Sequence, residues 1–306
     1  MSPQPRGALS DAIRRNGRRN GHPVALPELP TATLPVVEVR DRPDYSLGVD
    51  DAERARLLAQ CALHRAEAEI LLDRIGLHAG GRVLDLGCGP LGVLDLFAER
   101  VGPAGHVVGL DREARYLAIA RQELDARGFT GVELLASDAT GTSLDPASFD
   151  LVHERLVLNN VPQPDAVLSE MVRLARPGGH VAVQDVDWLT WTCLPEHPDL
   201  DRLRAAAAAV WSGDVHIGRR LPALLRAAGL VDVEVMPHLR VFRPGEPYHR
   251  LLLRFVALHR ERILAGRSMS AAQLDGAVAG LDAHLADPAT VTLYATFFQA
   301  WGRRPE

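Results

Sequence analysis

The stretch RVLDLGCGPLG, residues 82–92, decides the fold of this chain. Its apolar beginning predicts a buried strand, which passes an acid, Asp85, and enters a turn that carries three glycines. An amphipathic helix is predicted directly after the turn, over residues 91–101. Strand, glycine turn and helix in this order are typical of a site where backbone N–H groups hold a nucleotide-type ligand.

Short apolar strands and longer helical patterns alternate along the chain from this stretch onward. Strands are predicted at 82–86, 106–110, 132–136, 149–153 and 180–186, and the helices between them at 91–101, 113–127 and 164–175. Strands joined by helices of about ten residues imply right-handed crossovers and a parallel sheet covered on both faces. The predicted fold class is therefore α/β, with a doubly wound sheet.

The remaining segments surround this core. Residues 1–43 are rich in Pro and Arg and are expected to form a flexible leader or an arm, and the pattern over 51–76 predicts one long helix. A strand is expected near 231–241 and a last β-rich run over 290–300. Two inserted blocks, at about 187–228 and 246–286, are the expected helical caps over the ligand, because loops at the carboxyl edge of such a sheet line the crevice.

Composition excludes several classes of function. The chain has 306 residues, 47% hydrophobic and 24% charged, with a formal charge of −5, so it offers no basic field for nucleic acid. Its three cysteines are scattered, which fits a reducing, cytoplasmic location, and no apolar run approaches the length of a membrane span. The absence of lysine excludes Schiff-base chemistry on a lysine side chain.

The glycine turn alone admits two kinds of cofactor. GCGPLG, residues 87–92, matches GxGxxG, and Asp111 follows about twenty residues later, as in NAD(P)-dependent oxidoreductases. The carboxylate of Asp85, however, would repel a polyanionic ligand, and it suits a ligand with an ammonium group. The SDA segment at 137–139 can read an adenine edge, and the RPGG segment at 176–179 has no required role in dinucleotide binding.

Five segments together resemble the class I S-adenosylmethionine-dependent methyltransferases, in the subgroup of quinone and bacterial natural-product enzymes. They are VLDLGCGPLG (83–92), VVGLD (107–111), SDA (137–139), FDLVHERLVLNNVPQP (149–164) and LARPGGHVAVQD (174–185). The resemblance implies a Rossmann-like sheet of seven strands, mostly parallel with an antiparallel last strand, over a domain at 44–306. The chain departs from the family pattern at Leu91, where related turns carry glycine.

The resemblance implies S-adenosyl-L-methionine as cofactor and assigns its contacts. Asp85 favours the ammonium of the methionine portion, Asp111 accepts both ribose hydroxyls, Arg112 flanks the adenine, and Asp138 takes its amine. The full set of expected cofactor-binding residues is Tyr45, Gln60, Asp85, Gly87, Cys88, Gly89, Asp111, Arg112, Ser137, Asp138, Ala139 and Arg155.

Candidate catalytic residues lie beyond the fourth and fifth strands. His153 is the best-placed candidate for a general base, since its unperturbed pKa lies near neutrality, and Glu154 is the candidate next to it. Asp185 and Asp187, after the fifth strand, are alternative acceptors of a substrate proton. The rival interpretation is that His153 only holds the loop. One tryptophan of Trp188, Trp191 and Trp211 is expected to touch the substrate, and His216, Arg219 and Arg220 are candidates for contacting an acidic substrate.

The predicted function is methyl transfer to O, N or activated C of a small molecule in bacterial secondary metabolism. The alternatives are a methyltransferase-fold protein without methyl transfer, cyclase-like or binding, and an NAD(P)-dependent oxidoreductase. No metal site is expected, because no paired His or Cys spacing occurs. The expected partner is a small molecule, with no nucleic acid and no membrane, and a homodimer would use the N-terminal arm and the alanine-rich helix.

Overall fold

The computed structural model describes residues 51–306, so the predicted leader at 1–43 lies outside the described part of the chain. The described part begins with two helices where the pattern predicts one: α1 is Asp51–Leu63 and α2 is Arg65–Ile75. A turn at His64 divides them, because its fully buried ring stacks on Phe297 with the ring centroids 4.1 Å apart. Tertiary packing therefore overrides the helical pattern at this position.

Seven strands form the main sheet. They are β1 (Arg82–Leu86), β2 (His106–Asp111), β3 (Glu133–Ala136), β4 (Phe149–Arg155), β5 (Ala175–Asp187), β7 (Val231–His238) and β10 (Thr296–Arg303). Their order is β3-β2-β1-β4-β5-β10-β7. The strand β10 runs antiparallel to both β5 and β7, and all other neighbouring strands are parallel. The predicted doubly wound sheet with an antiparallel last strand is confirmed.

Helices cover both faces of the sheet. They are α3 (Leu94–Val101), α4 (Ala114–Ala126), α5 (Pro164–Leu174) and α7 (Leu221–Ala227). Successive residues of β1 face opposite sides of the sheet. Val83 packs in an apolar cluster with α2, α3 and α4, whereas Leu84 and Leu86 pack with α5 and α7 on the other side. Asp85 consequently lies on the same face as α3, next to the glycine turn.

The carboxyl end of β5 leads into the first inserted block. Its helix is α6 (Pro198–Ala208), and the second block contains α8 (Leu251–Leu258), α9 (Arg260–Ala265) and α10 (Ala271–Leu285). Both blocks contribute to one apolar cluster with a small sheet of β6 (Thr192–Leu194), β9 (Val291–Leu293) and β8 (Val241–Phe242). The end of the first block, Ile217 to Ala227, packs on the main sheet instead, through Ile217, Leu221 and Leu225.

Two predicted strand boundaries differ from the structure. RPGG lies inside β5, at an irregularity where Gly178 has φ +72°, rather than in a turn before the strand. The predicted strand over 231–241 ends at His238, and the chain then enters the small sheet at Val241. Both differences follow from strand pairing across the fold, which local sequence does not encode.

Candidate cofactor and substrate site

The glycine turn is closed tightly around the carboxylate of Asp85. Gly87, Gly89 and Gly92 all adopt positive φ angles, of +70°, +56° and +57°. A β-carbon on Gly92 would lie 2.2 Å from Asp85 Oδ2, which no side chain could tolerate. Leu91 is 4% exposed and packs in the core. In this chain the position that requires glycine is 92, one place after the glycine of related turns, and this explains why Leu91 can depart from the family pattern.

A cavity of about 380 Å³ opens at the carboxyl ends of the parallel strands, beside this turn. Its wall includes these expected cofactor-binding residues: Gln60, Asp85, Gly87, Cys88, Gly89, Asp111, Arg112, Ser137, Asp138, Ala139 and Arg155. Tyr45 lies outside the described residues. Segments that are far apart in sequence thus meet at one crevice, as expected for the carboxyl edge of such a sheet.

Asp111 is fixed at the end of β2 by two backbone donors. Its Oδ2 accepts from Gly89 N at 2.8 Å and its Oδ1 accepts from Glu113 N at 2.9 Å. Burial raises the pKa of this carboxyl, although both N–H groups favour the ionised form. A carboxylate offers about four acceptor sites, so two remain for a vicinal diol.

Asp138 forms a local turn at the other end of the cavity. Its Oδ1 accepts from the Thr140 hydroxyl at 2.6 Å and from Thr140 N at 2.8 Å, and these contacts lower its pKa. Both contacts use the same oxygen. The aspartate is thereby held ionised with Oδ2 available to a ligand donor.

Arg155 spans the turn at the opposite end of the cavity. Its Nη2 donates to the Gly92 carbonyl oxygen at 2.7 Å. Its Nη1 is buried and has no hydrogen-bond partner within residues 51–306. A buried guanidinium nitrogen without a partner is costly, so this group suits an anionic or carbonyl ligand oxygen.

His153 does not reach the cavity wall. Its Nδ1 lies 2.8 Å from Asp85 Oδ1 and its Nε2 lies 3.1 Å from Gln184 Oε1. The side chain is 1% exposed, and Phe97 packs edge-on against its ring. Both nitrogens are engaged inside the protein, so the geometry does not place His153 where a base would meet a substrate.

Glu154 also points away from the cavity. Together with Asp185 it accepts hydrogen bonds from the backbone of the loop after β4. Glu154 Oε2 accepts from Val157 N at 2.8 Å, and Asp185 Oδ2 accepts from Asn159 N at 2.9 Å. Burial, helped by the negative charge of Asp185, raises the pKa of Glu154 well above its usual range. Burial raises the pKa of Asp185 to about 8. Val157 and Asn159 line the cavity, so the two acids shape its wall from behind.

Asp187 is likewise held away from the cavity. Its Oδ2 accepts from Arg219 Nε, and its Oδ1 lies 3.0 Å from His216 Nδ1. Burial opposes its ionisation, but these partners outweigh burial and lower its pKa. Arg220 pairs with Asp214 at 2.5 Å. The basic cluster expected to contact an acidic substrate therefore makes contacts within the protein.

The remaining wall of the cavity is aromatic. Trp188, Trp211, Phe255 and Tyr294 line it, and Trp188 packs on Trp211 with centroids 4.8 Å apart. Trp211 Nε1 donates to the Asn159 carbonyl oxygen at 3.1 Å, which ties this wall to the loop after β4. Two of the three tryptophans singled out from the sequence thus reach the cavity. Trp191 instead packs behind it.

Three notable residues of the wall were not predicted from the sequence. Phe255 and Tyr294 belong to the second inserted block and the segment after it, which carry no motif. Arg56 of α1 also lines the cavity, where Glu53 accepts two hydrogen bonds from it at 2.8 and 2.6 Å. A helical projection of α1 could have found Arg56, since it lies one turn before Gln60 on the same face.

A second, more open hollow of about 600 Å³ lies between α6 and α10. Small residues such as Ala205, Ala272 and Gly276 line much of it, and none of the motif residues does.

No cluster of three His, Cys, Asp or Glu side chains suited to a metal occurs within residues 51–306. None of the described helices is long and apolar enough to cross a membrane. The chemistry therefore concentrates in the cavity beside the glycine turn.

The fold and this cavity are those of a class of doubly wound α/β proteins whose glycine turn is suited to a nucleoside-containing cofactor. A family model described as a methyltransferase domain matches residues 77–229. The chain belongs to this family, the class I S-adenosylmethionine-dependent methyltransferases. The NAD(P)-dependent oxidoreductase that the glycine spacing admits is accordingly set aside.

The chain is similar to individual proteins along much of its length. A 37.1 kDa protein in transposon TN4556 of Streptomyces fradiae is 31% identical over 258 residues, covering 82% of this chain and 72% of the relative. Demethylmenaquinone methyltransferase of Geobacillus kaustophilus is 31% identical over 190 residues, or 57% and 81% of the two chains. A solved putative methyltransferase from Bacillus halodurans shares the fold, with 18% identity, a TM-score of 0.56, and coverage of 79% of this chain and 100% of that one.

The described residues fit S-adenosylmethionine, the cofactor of this family. A β-carbon on Gly89 would meet no atom within 4 Å, so backbone borders open cavity there. Asp111 offers acceptors for a diol, and Arg155 Nη1 is a buried donor without a partner. Acidic and basic groups at separate points of one crevice suit a ligand that carries ribose, ammonium and carboxylate groups.

Proposed function

We propose that this enzyme transfers a methyl group from S-adenosylmethionine to O, N or an activated carbon of a small molecule, in bacterial secondary metabolism. The observation that carries this proposal is a single cavity that joins the glycine turn and Asp111 to an aromatic wall. The cofactor supplies an electrophilic methyl group when bound. The chain's own residues have to hold the two reactants in line and exclude water.

The cofactor contacts that we propose follow the cavity wall. Asp111 binds the ribose hydroxyls, and Asp138 with the Ala139 N–H binds the adenine edge. Arg155, through its buried Nη1, binds the carboxylate of the methionine portion, and Asp85 favours the ammonium. These groups lie on a rigid sheet edge and a tight turn, which suits a reaction that depends on positioning.

The acceptor end that we propose is the aromatic wall with the loop after β4. Trp188, Trp211, Phe255 and Tyr294 offer flat apolar surface, and Asn159 and Asn160 add polar groups beside it. Such a wall favours a flat, largely apolar acceptor. The two inserted blocks then act as the cap over this end, and the relatives that are demethylmenaquinone methyltransferases make quinols the first acceptors to test.

His153, Glu154 and Asp187 take supporting roles in this proposal rather than roles as bases. Each is at most 2% exposed and hydrogen-bonded to neighbours inside the protein.

We also propose that the enzyme is cytoplasmic and does not bind nucleic acid, consistent with a net charge of −5. Light scattering after gel filtration tests whether it pairs as a homodimer.

Formation of S-adenosylhomocysteine tests the proposed reaction. Purified full-length enzyme is incubated with S-adenosylmethionine and a panel of flat quinols, phenols and amines, and S-adenosylhomocysteine is quantified by mass spectrometry. Acceptor-dependent product with a matching gain of one methyl group in the acceptor supports the proposal. Tight cofactor binding with rearrangement of a substrate that gains no methyl group would favour the alternative, a methyltransferase-fold protein without methyl transfer.

A further inference from the structure

A buried polar row crosses three neighbouring strands beneath the glycine turn. Asp85 of β1 pairs in register with His153 of β4, and Gln184 lies on the next strand, β5. Asp85 and His153 are each 1% exposed, and Gln184 is 0% exposed. Three adjoining buried polar side chains in the centre of a sheet are costly unless their hydrogen bonds are satisfied.

The contact between Asp85 and His153 fixes the imidazole tautomer. Asp85 Oδ1 lies 2.8 Å from His153 Nδ1, and an ionised carboxylate can only accept a hydrogen bond. Nδ1 must therefore carry the proton and donate it to this bond. His153 Nε2 is then an acceptor, so the Gln184 amide beside it must turn its nitrogen toward the ring, a half-turn from the orientation in which Oε1 lies 3.1 Å from Nε2.

The second oxygen of Asp85 connects this row to the turn. Asp85 Oδ2 accepts from Val93 N at 3.3 Å, immediately after the glycine whose β-carbon would collide with it. The position of the carboxylate therefore sets the position of Gly92 and Val93. The Gly92 carbonyl oxygen in turn accepts from Arg155 Nη2 at 2.7 Å. One carboxylate thus orients both the turn and the guanidinium beside it.

We infer that His153 is a positioning residue, whose Nδ1–H aims the Asp85 carboxylate and thereby sets the geometry of the methionine end of the cofactor site. This inference rests on the proposed function of the cavity. It replaces general-base catalysis by His153, because the imidazole donates toward the cofactor side rather than accepting a proton from the substrate. Gln184 restrains the opposite side of the ring.

Two isosteric variants separate this role from simple packing. The amide nitrogen of asparagine falls near the place of histidine Nδ1, whereas that of glutamine falls near Nε2. His153→Asn therefore keeps a donor toward Asp85, and His153→Gln keeps only a partner for Gln184. Calorimetric titration with S-adenosylhomocysteine should show binding weakened about tenfold in His153→Gln, as for a lost hydrogen bond to a charged group, and recovered to within about threefold of wild type in His153→Asn.

The readouts distinguish the possible failures. Equal loss of affinity in both variants, or a greater loss in His153→Asn, would overturn the inference. No binding of S-adenosylhomocysteine to the wild-type enzyme would instead overturn the proposed function. The tautomer is measured independently of cofactor by imidazole ¹⁵N spectra of the wild-type enzyme, with the His153→Asn spectrum used for assignment. A protonated Nδ1 is expected, and an Nδ1 without a proton would also overturn the inference, even where His153→Gln fails to fold.

Discussion

The cofactor end and the acceptor end that we propose for the cavity are built in different ways. At the cofactor end, Gly89, Asp111 and Asp138 lie at the ends of consecutive strands and are fixed by hydrogen bonds between backbone N–H groups and the two carboxylates. At the acceptor end, Trp188, Trp211 and Phe255 come from two inserted blocks and are held by packing on one another. Hydrogen bonds at the strand ends therefore set the cofactor end, whereas the acceptor end depends on packing between the inserted blocks and on the hydrogen bond from Trp211 to the loop after β4.

The largest expected effect comes from breaking the cofactor end at its turn. Gly92→Ala combines a positive φ, which costs about 1–2 kcal/mol, with a collision against Asp85 that adds about 1–3 kcal/mol. Urea unfolding should show both losses, and calorimetry should detect no binding of S-adenosylhomocysteine. The control is Gly76→Ala, which has a similar φ of +73° but no atom within 4 Å. Equal destabilisation by the two substitutions would contradict the close approach at Gly92.

Asp111→Ala should have the next largest effect, and it acts on binding. Removing a charged acceptor of the ribose hydroxyls should weaken S-adenosylhomocysteine binding by about 1.5–3 kcal/mol. Calorimetry measures the change, with Asp125→Ala on the exposed face of α4 as the control. Affinity like that of the wild type in Asp111→Ala would remove the ribose contact from the proposal.

A smaller effect is expected from the acceptor end, and it should spare cofactor binding. Phe255→Leu removes one aromatic face of the wall, so KM for a flat acceptor should rise about two- to tenfold, the range of a lost aromatic contact. The affinity for S-adenosylhomocysteine should stay close to that of the wild type. Phe242→Leu is the matched control, since Phe242 is buried in the same cluster but does not line the cavity. An equal rise of KM in Phe242→Leu would contradict the proposed contact between Phe255 and the acceptor.

The effect on ligand binding is expected to be smallest for the acids behind the wall, which instead make the stability of the fold depend on pH. Burial raises the folded-state pKa of Asp185 to about 8, well above its usual value of 3.8. Between these two pH values the folded protein holds a proton on Asp185 that the unfolded chain has lost. The contribution of this proton to the free energy of unfolding is therefore complete below about pH 4 and declines as pH rises toward about 8. Asp185→Asn should flatten that decline in urea unfolding measured between pH 5 and 8. The control Asp125→Asn should leave the decline unchanged. If the free energy of unfolding falls with pH equally in Asp185→Asn and in the wild type, the raised pKa of Asp185 is contradicted.

Much of the fold and of the cofactor end could be predicted from sequence for one reason. Strands, helices and the glycine turn are local patterns, and the resemblance rests on segments in a fixed order, so Asp85, Asp111 and Asp138 could be assigned to one crevice. The break at His64 could not be predicted, because stacking on Phe297, more than 200 residues away, produces it. Leu91 was noticed as a departure, but only the contact of Gly92 with Asp85 explains it.

The acceptor end and the roles of the acids depended on directions that sequence does not encode. His153 and Glu154 follow each other on β4, and spacing alone could not tell that both turn inward to bond Asp85 and Val157. Asp187 was expected at the site, yet Arg219 and His216 hold it elsewhere. Phe255 and Tyr294 reach the cavity only because the two inserted blocks share one apolar cluster.

A crystal structure of the enzyme with S-adenosylhomocysteine would show both proposed ends of the cavity at once. The ribose is expected on Asp111, the methionine carboxylate on Arg155, and the sulfur facing the wall of Trp188, Trp211 and Phe255. A ligand bound elsewhere, or bound in this cavity with its sulfur turned away from that wall, would contradict the division into cofactor and acceptor ends.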